Sequence, residues 1–75
     1  MKSGIYRHYK GGFYQLIGEA EHTETGQRLV VYVALAILPG PRIRCRPLDG
    51  PEGWNTPPVG YEARFSWCGP EIWAA

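Results

Sequence analysis

Turn-forming residues impose the strongest limit on what this chain can fold into. Gly, Pro, Asn and Asp recur roughly every 8 to 12 positions, and the apolar residues between them follow period two more often than period 3.6. That combination predicts an all-β protein. "IYRHY" alternates aromatic and basic residues and stops at Lys10-Gly11-Gly12, where glycine supplies the positive φ of a tight hairpin. In "FYQLIGEAE" the set Tyr14, Leu16, Gly18 and Ala20 is expected on one face, with Gln15, Glu19 and Glu21 on the other. Phe13 and Ile17 break the pattern, and Gly18 would permit a bulge or sharp bend. "HTETG" predicts a second hairpin with Gly26 left-handed.

Further along, "QRLVVYVALAIL" is apolar on both faces, as expected of a central strand covered twice, and it ends at the rigid Pro39-Gly40-Pro41 turn. "RIRCRPL" alternates cleanly, with Arg42, Arg44 and Arg46 on one side and Ile43 and Cys45 on the other. Residues 49–60, "DGPEGWNTPPVG", predict a proline- and glycine-rich loop anchored by Trp54. "YEARFSWC", residues 61–68, predicts a last strand with Ala63, Phe65 and Trp67 inward and Glu62, Arg64 and Ser66 outward. Ile72 and Trp73 in the tail are expected to dock back on the barrel.

A chain of 75 residues makes one domain with one core. A core this small seldom supplies more than about 3 to 5 kcal/mol without staples, so its aromatics carry unusual weight. Eight basic against seven acidic side chains leave a formal charge of +1, far from the basic footprint of a dedicated nucleic-acid binder. No apolar run reaches the roughly 18 to 20 residues that span a bilayer, and the first residues lack the apolar core of a secretory signal. The expectation is therefore cytoplasmic, without membrane contact. Cys45 and Cys68, with no metal-type spacing, are expected to be free buried thiols.

The segment "GIYRHYKGGFYQLIGEAEHTETGQRLVVY", with "RPL" at Arg46 to Leu48 and "RF" at Arg64 and Phe65, resembles a bacterial family of unknown function, DUF1653. The likeness is dense from Gly4 to about Leu35 and thin afterwards. It rests on "YRHYKG", on "HTET" and on "VVY". The resemblance implies a small SH3-like β-barrel, here of about five strands, and implies no activity. Two stretches depart from the family: Asp49, Gly50 and Pro51 open a proline-rich loop, and "AILPGPRIRCRP" replaces a short glycine turn.

No residue set makes a persuasive reaction centre. His22 and Glu24, with Glu21 and His8 brought near across a hairpin, offer a ligand pocket, a metal site or an acid/base pair. Zinc normally takes three or four well-spaced ligands, so the plainer reading is a turn whose Thr23, Glu24 and Thr25 satisfy the backbone while His22 caps a strand end. Ser3 and Ser66 sit in no nucleophile motif. Arg42, Arg44 and Arg46 repeat about every 7 Å along a strand, close to phosphate spacing on an extended single strand, and Tyr6, Tyr9 or Tyr61 would add stacking. A charged edge that blocks aggregation explains the same residues. Trp54 with Pro57, Pro58 and Tyr61 resembles aromatic peptide-binding surfaces, although a loop tryptophan also serves to cover a core end. Tyr6 and Tyr9 fall on opposite faces, so at most one is core. The sequence thus reads as a non-catalytic module for a protein, peptide or ligand, with Tyr6, His8, His22, Glu24, Arg42, Arg44, Arg46, Trp54 and Tyr61 as candidate contacts. A module making weak nucleic-acid contact through the arginine strand stands second, and a small enzyme third. No cofactor or metal is expected, and surface aromatics make a homodimer plausible.

Overall fold

The computed structural model describes residues 1–36 and 39–71, so the expected docking of Ile72 and Trp73 and the end of "LVVYVALAIL" lie outside the described residues. Five strands, β1 (Ile5–His8), β2 (Phe13–Glu21), β3 (Arg28–Ala34), β4 (Ile43–Pro47) and β5 (Phe65–Gly69), form one antiparallel sheet in the order β4-β3-β2-β1-β5. None of the described residues is helical.

Both predicted hairpins are present. Gly11 and Gly12 take φ of 96° and 86° after β1, where the Gly11 N–H donates to the His8 carbonyl and the His8 N–H to that of Gly12. After β2, Gly26 takes φ of 73° and its N–H donates to the His22 carbonyl. Between them the register shifts from Leu16↔Tyr32 to Gly18↔Val31, leaving Ile17 as the extra residue of a bulge. The bulge also resets the faces. Tyr14 and Leu16 share the core side with Ala34 and Tyr32, but beyond it Glu19 pairs with Val30, while Gly18 and Ala20 pair with Val31 and Leu29. The expectation that Tyr14, Leu16, Gly18 and Ala20 share one face fails there, because one inserted residue inverts a period-two pattern.

Val30, Tyr32 and Ala34 bury one face of β3. The core is Tyr6, Val30, Tyr32, Leu48, Trp54 and Phe65, with Tyr14 and Leu16 packed against it. Trp54 is its centre: its ring stacks on Phe65 at 3.7 Å and 5°, and meets Tyr6 and Tyr32 edge-on at 5.1 and 5.2 Å. The Trp54 backbone N–H donates to the Pro47 carbonyl, and Gly53, Asn55 and Thr56 bond within or beside the loop, so residues 49–60 form a fastened plug. Trp54 is therefore the loop anchor expected.

A closed barrel is not what forms. β4 and β5 are the two ends of the sheet order and share no backbone ladder. They meet through side chains, with the Arg46 guanidinium 5.3 Å over the Phe65 ring and the Trp54 loop filling the remaining side. β3 is likewise not covered twice. Its second face, Leu29, Val31 and Val33, is half-buried, and Ile17 and Ile43 on the same face are 56% and 64% exposed.

The alternation of β4 is as expected but its direction is reversed. Arg44 and Arg46 pair with Tyr32 and Val30, on the core side, while Ile43 and Cys45 pair with Val33 and Val31 on the open side. Both cysteines are free yet exposed, which corrects the expectation of buried thiols. β5 starts at Phe65 instead of residue 61, because the Tyr61 N–H closes a turn onto the Pro58 carbonyl and Arg64 turns inward to Thr56. Arg64 is 8% exposed and Trp67 is 40% exposed, the reverse of the pattern that the alternation predicted. No helix among the described residues is long and apolar enough to cross a membrane.

Candidate functional site

The turn after β1, the end of β4, the Trp54 loop and the approach to β5 meet at one end of the sheet. His8, Tyr9, Lys10, Arg46, Glu52 and Arg64 line a cleft there of about 300 Å³, with Cys45 and Pro47 also at its wall. The backbone holds the parts in place. The Tyr9 N–H donates to the Arg64 carbonyl at 2.9 Å, and the Lys10 N–H donates to His8 Nδ1 at 3.2 Å.

Arg46 reaches the cleft along the core face of β4. Its Nε–H donates to the Tyr32 hydroxyl at 3.3 Å and a terminal N–H to the Glu52 carbonyl at 3.0 Å. Arg64 donates through Nε–H to the Thr56 carbonyl at 3.2 Å, and its guanidinium lies 5.7 Å from the Tyr9 ring centroid. A guanidinium has five N–H groups, so both retain donors beyond these bonds. Those donors keep access to solvent, since no buried side-chain nitrogen or oxygen among the described residues lacks a partner. The one ion pair among the described residues joins Arg28 of β3 to Glu19 of β2, diagonally across the hairpin, since the backbone partner of Arg28 is Glu21. Lys10, Arg46 and Arg64 therefore have no carboxylate within ion-pair distance among them, although buried charges are usually paired.

His8 registers this environment. Burial first, then the positive charges of Arg46, Arg64 and Lys10, holds its pKa below the ordinary histidine value, so it is neutral at pH 7. Its ring also meets Tyr9 at 4.6 Å and Phe65 at 5.0 Å. A second groove of about 420 Å³ adjoins the cleft at its His8 and Tyr9 wall, with Arg7, Tyr61 and Glu62 among its other lining residues. The Tyr9 and Tyr61 rings meet at 4.8 Å, and Tyr61 is 55% exposed.

Of the residues singled out from sequence, His8, Arg46 and Tyr61 come together here. Tyr6 and Trp54 do not; at 7% and 4% exposure they are core and offer a partner little surface. Burial also raises the Tyr6 phenol pKa, and its hydroxyl donates to the Lys2 carbonyl at 2.5 Å. His22 and Glu24 sit in the far turn, separated from His8 by the nine residues of β2, roughly 30 Å of strand. There His22 Nδ1 accepts the Glu24 N–H at 3.3 Å and the Thr25 hydroxyl accepts the Gln27 N–H at 3.2 Å, so His22 and Thr25 supply the expected turn capping and the Thr23 and Glu24 side chains do not. The three arginines do not act as one row, since only Arg46 lines the cleft. Arg42 donates to the Ala34 carbonyl, and Arg44 to the Pro39 and Pro41 carbonyls, so both brace the β3–β4 connection. Lys10, Glu52 and Arg64 were missed by sequence reasoning. The "RF" pair marked Arg64, but strand alternation assigned its side chain to solvent. Among the described residues, no three His, Cys, Asp or Glu gather as a metal site.

Comparison with curated proteins finds no match. A crystal structure of a DUF1653 protein from Bordetella bronchiseptica is similar, at 33% identity and a TM-score of 0.78 over 92% of this chain and 88% of that one. The family profile described as "Protein of unknown function (DUF1653)" matches residues 4–50. With the profile spanning both hairpins and β4, and a family structure sharing the fold over nearly the whole length, this chain belongs to the DUF1653 family.

Proposed function

We propose that this protein is a non-catalytic binding module whose cleft at His8, Lys10, Arg46 and Arg64 takes an anionic group of its partner. The observation that carries this reading is Arg64: a residue only 8% exposed that lines the cleft, with no carboxylate paired to it among the described residues. Binding an anion there supplies the missing countercharge. Arg and Lys remain protonated near neutral pH and hold anions without moving protons, and His8 Nδ1 is occupied by the Lys10 N–H. That supports binding over catalysis. The five-stranded antiparallel order supports kinship with SH3-like folds, and the Bordetella neighbour supports a bacterial setting; the cytoplasmic location expected from the sequence belongs to the same proposal.

The test is thermal unfolding with sulfate or citrate against chloride at equal ionic strength, with the His8 ring followed by NMR. Multivalent anions should raise the midpoint and the His8 pKa, and Lys10→Glu, at an exposed turn position, should abolish both effects. Equal response to all three anions refutes the reading.

A further inference from the structure

Resting on the anion cleft just proposed, we infer that its ligand is a phosphomonoester carrying a flat ring: a nucleotide, free or at the phosphorylated end of a single strand. Charge selects the phosphate. Lys10, Arg46 and Arg64 against the single carboxylate of Glu52 leave the cleft at +2 with His8 neutral. A phosphomonoester carries a charge of about −1.5 to −2 at pH 7 and offers three acceptor oxygens, whereas one carboxylate would leave a guanidinium without countercharge. Two guanidiniums with spare N–H donors and one ammonium match those oxygens in number and kind.

The ring is selected by what adjoins the cleft. His8 and Tyr9 line both the cleft and the neighbouring groove, so a ring carried on the phosphate has to reach only across Tyr9 to lie beside Tyr61. There the opposite charges of Arg7 and Glu62 offset, which suits an uncharged ring, and Tyr61, edge-on to Tyr9 and 55% exposed, has surface left to stack on it. Arg42 and Arg44, committed to backbone carbonyls, have no part in this site.

The experiment is calorimetry on the full chain at low salt, using a nucleoside 5′-monophosphate, its parent nucleoside, inorganic phosphate, citrate, and a short oligonucleotide with a 5′-phosphate or a 5′-hydroxyl. The monophosphate should bind about tenfold more tightly than inorganic phosphate, and the nucleoside should not bind. Tyr61→Ala should remove that tenfold advantage while inorganic phosphate binds as before, and Lys10→Glu should abolish both. Tighter binding of the 5′-phosphorylated strand than of the mononucleotide identifies a strand end as the source, and the reverse identifies the free nucleotide. Equal binding of monophosphate and inorganic phosphate overturns the nucleotide assignment. Saturable binding of citrate alone also overturns it but leaves the anion cleft standing. With no anion bound, both fail.

Discussion

Replacing Trp54 by alanine tests the account of how an open sheet of this size closes its core. The side chain is 4% exposed and touches Tyr6, Tyr32 and Phe65. A buried aromatic removes about 150 to 250 Å² from water, worth about 4 to 6 kcal/mol at roughly 25 cal/mol per Å². Partial burial in the unfolded chain lowers this to about 3 to 5 kcal/mol, the usual cost of deleting a core tryptophan. At about 0.05 to 0.15 kcal/mol per residue, a chain of 75 residues has only about 4 to 11 kcal/mol of stability in total. Trp54→Ala should thus lower the thermal midpoint by about 15 to 30 °C, measured beside urea unfolding by circular dichroism. Trp54→Phe, which keeps a ring against Phe65, should recover more than half of the loss. Trp67→Ala is the control: that ring is 40% exposed, and its removal should cost about 1 kcal/mol or less. A loss under about 1 kcal/mol for Trp54→Ala would refute the plug as the closing element.

Because His8 in the folded protein has a pKa below its unfolded value, the unfolded chain takes up the proton first. Stability is therefore full above the unfolded pKa of about 6.5 and lost as pH falls through it toward the folded pKa, with Arg46, Arg64, Lys10, Tyr9 and Glu52 surrounding the ring. Urea midpoints from pH 8 to pH 5 should fall less steeply in His8→Asn than in the parent, and identical slopes would contradict this. Gly4 has φ of 130°, and a Cβ there would lie 2.2 Å from the Gly69 carbonyl oxygen and 2.9 Å from Trp67 Nε1. Gly4→Ala should cost more than about 2 kcal/mol, whereas Gly18→Ala, with no atom within 4 Å of its Cβ and no positive φ, should cost less than about 0.5 kcal/mol in the same assay.

What was legible in the sequence is local. The three amino-terminal strands and their two hairpins follow from glycines that must take positive φ and from period two between them, and both signals lie within a few residues of what they determine. Trp54 as the anchor of its loop was legible too, since a large ring in a segment otherwise rich in Pro and Gly has few other uses. Alternation also told which residues of β4 share a face, but not which face turns inward, because a period-two pattern is unchanged when the strand is flipped. Pairing of β4 with β3 decided that, laying Arg44 and Arg46 against Tyr32 and Val30, where their heads reach carbonyl and hydroxyl oxygens. The same ambiguity hid Arg64, whose inward turn depends on a carbonyl eight residues earlier in a loop without a repeating pattern. The cleft itself needed the whole fold: His8 and Arg64 meet only because β1 pairs with β5 across the length of the chain. No local rule encodes that meeting, since it arises from long-range strand pairing and from the packing of one tryptophan that covers the core face between β4 and β5.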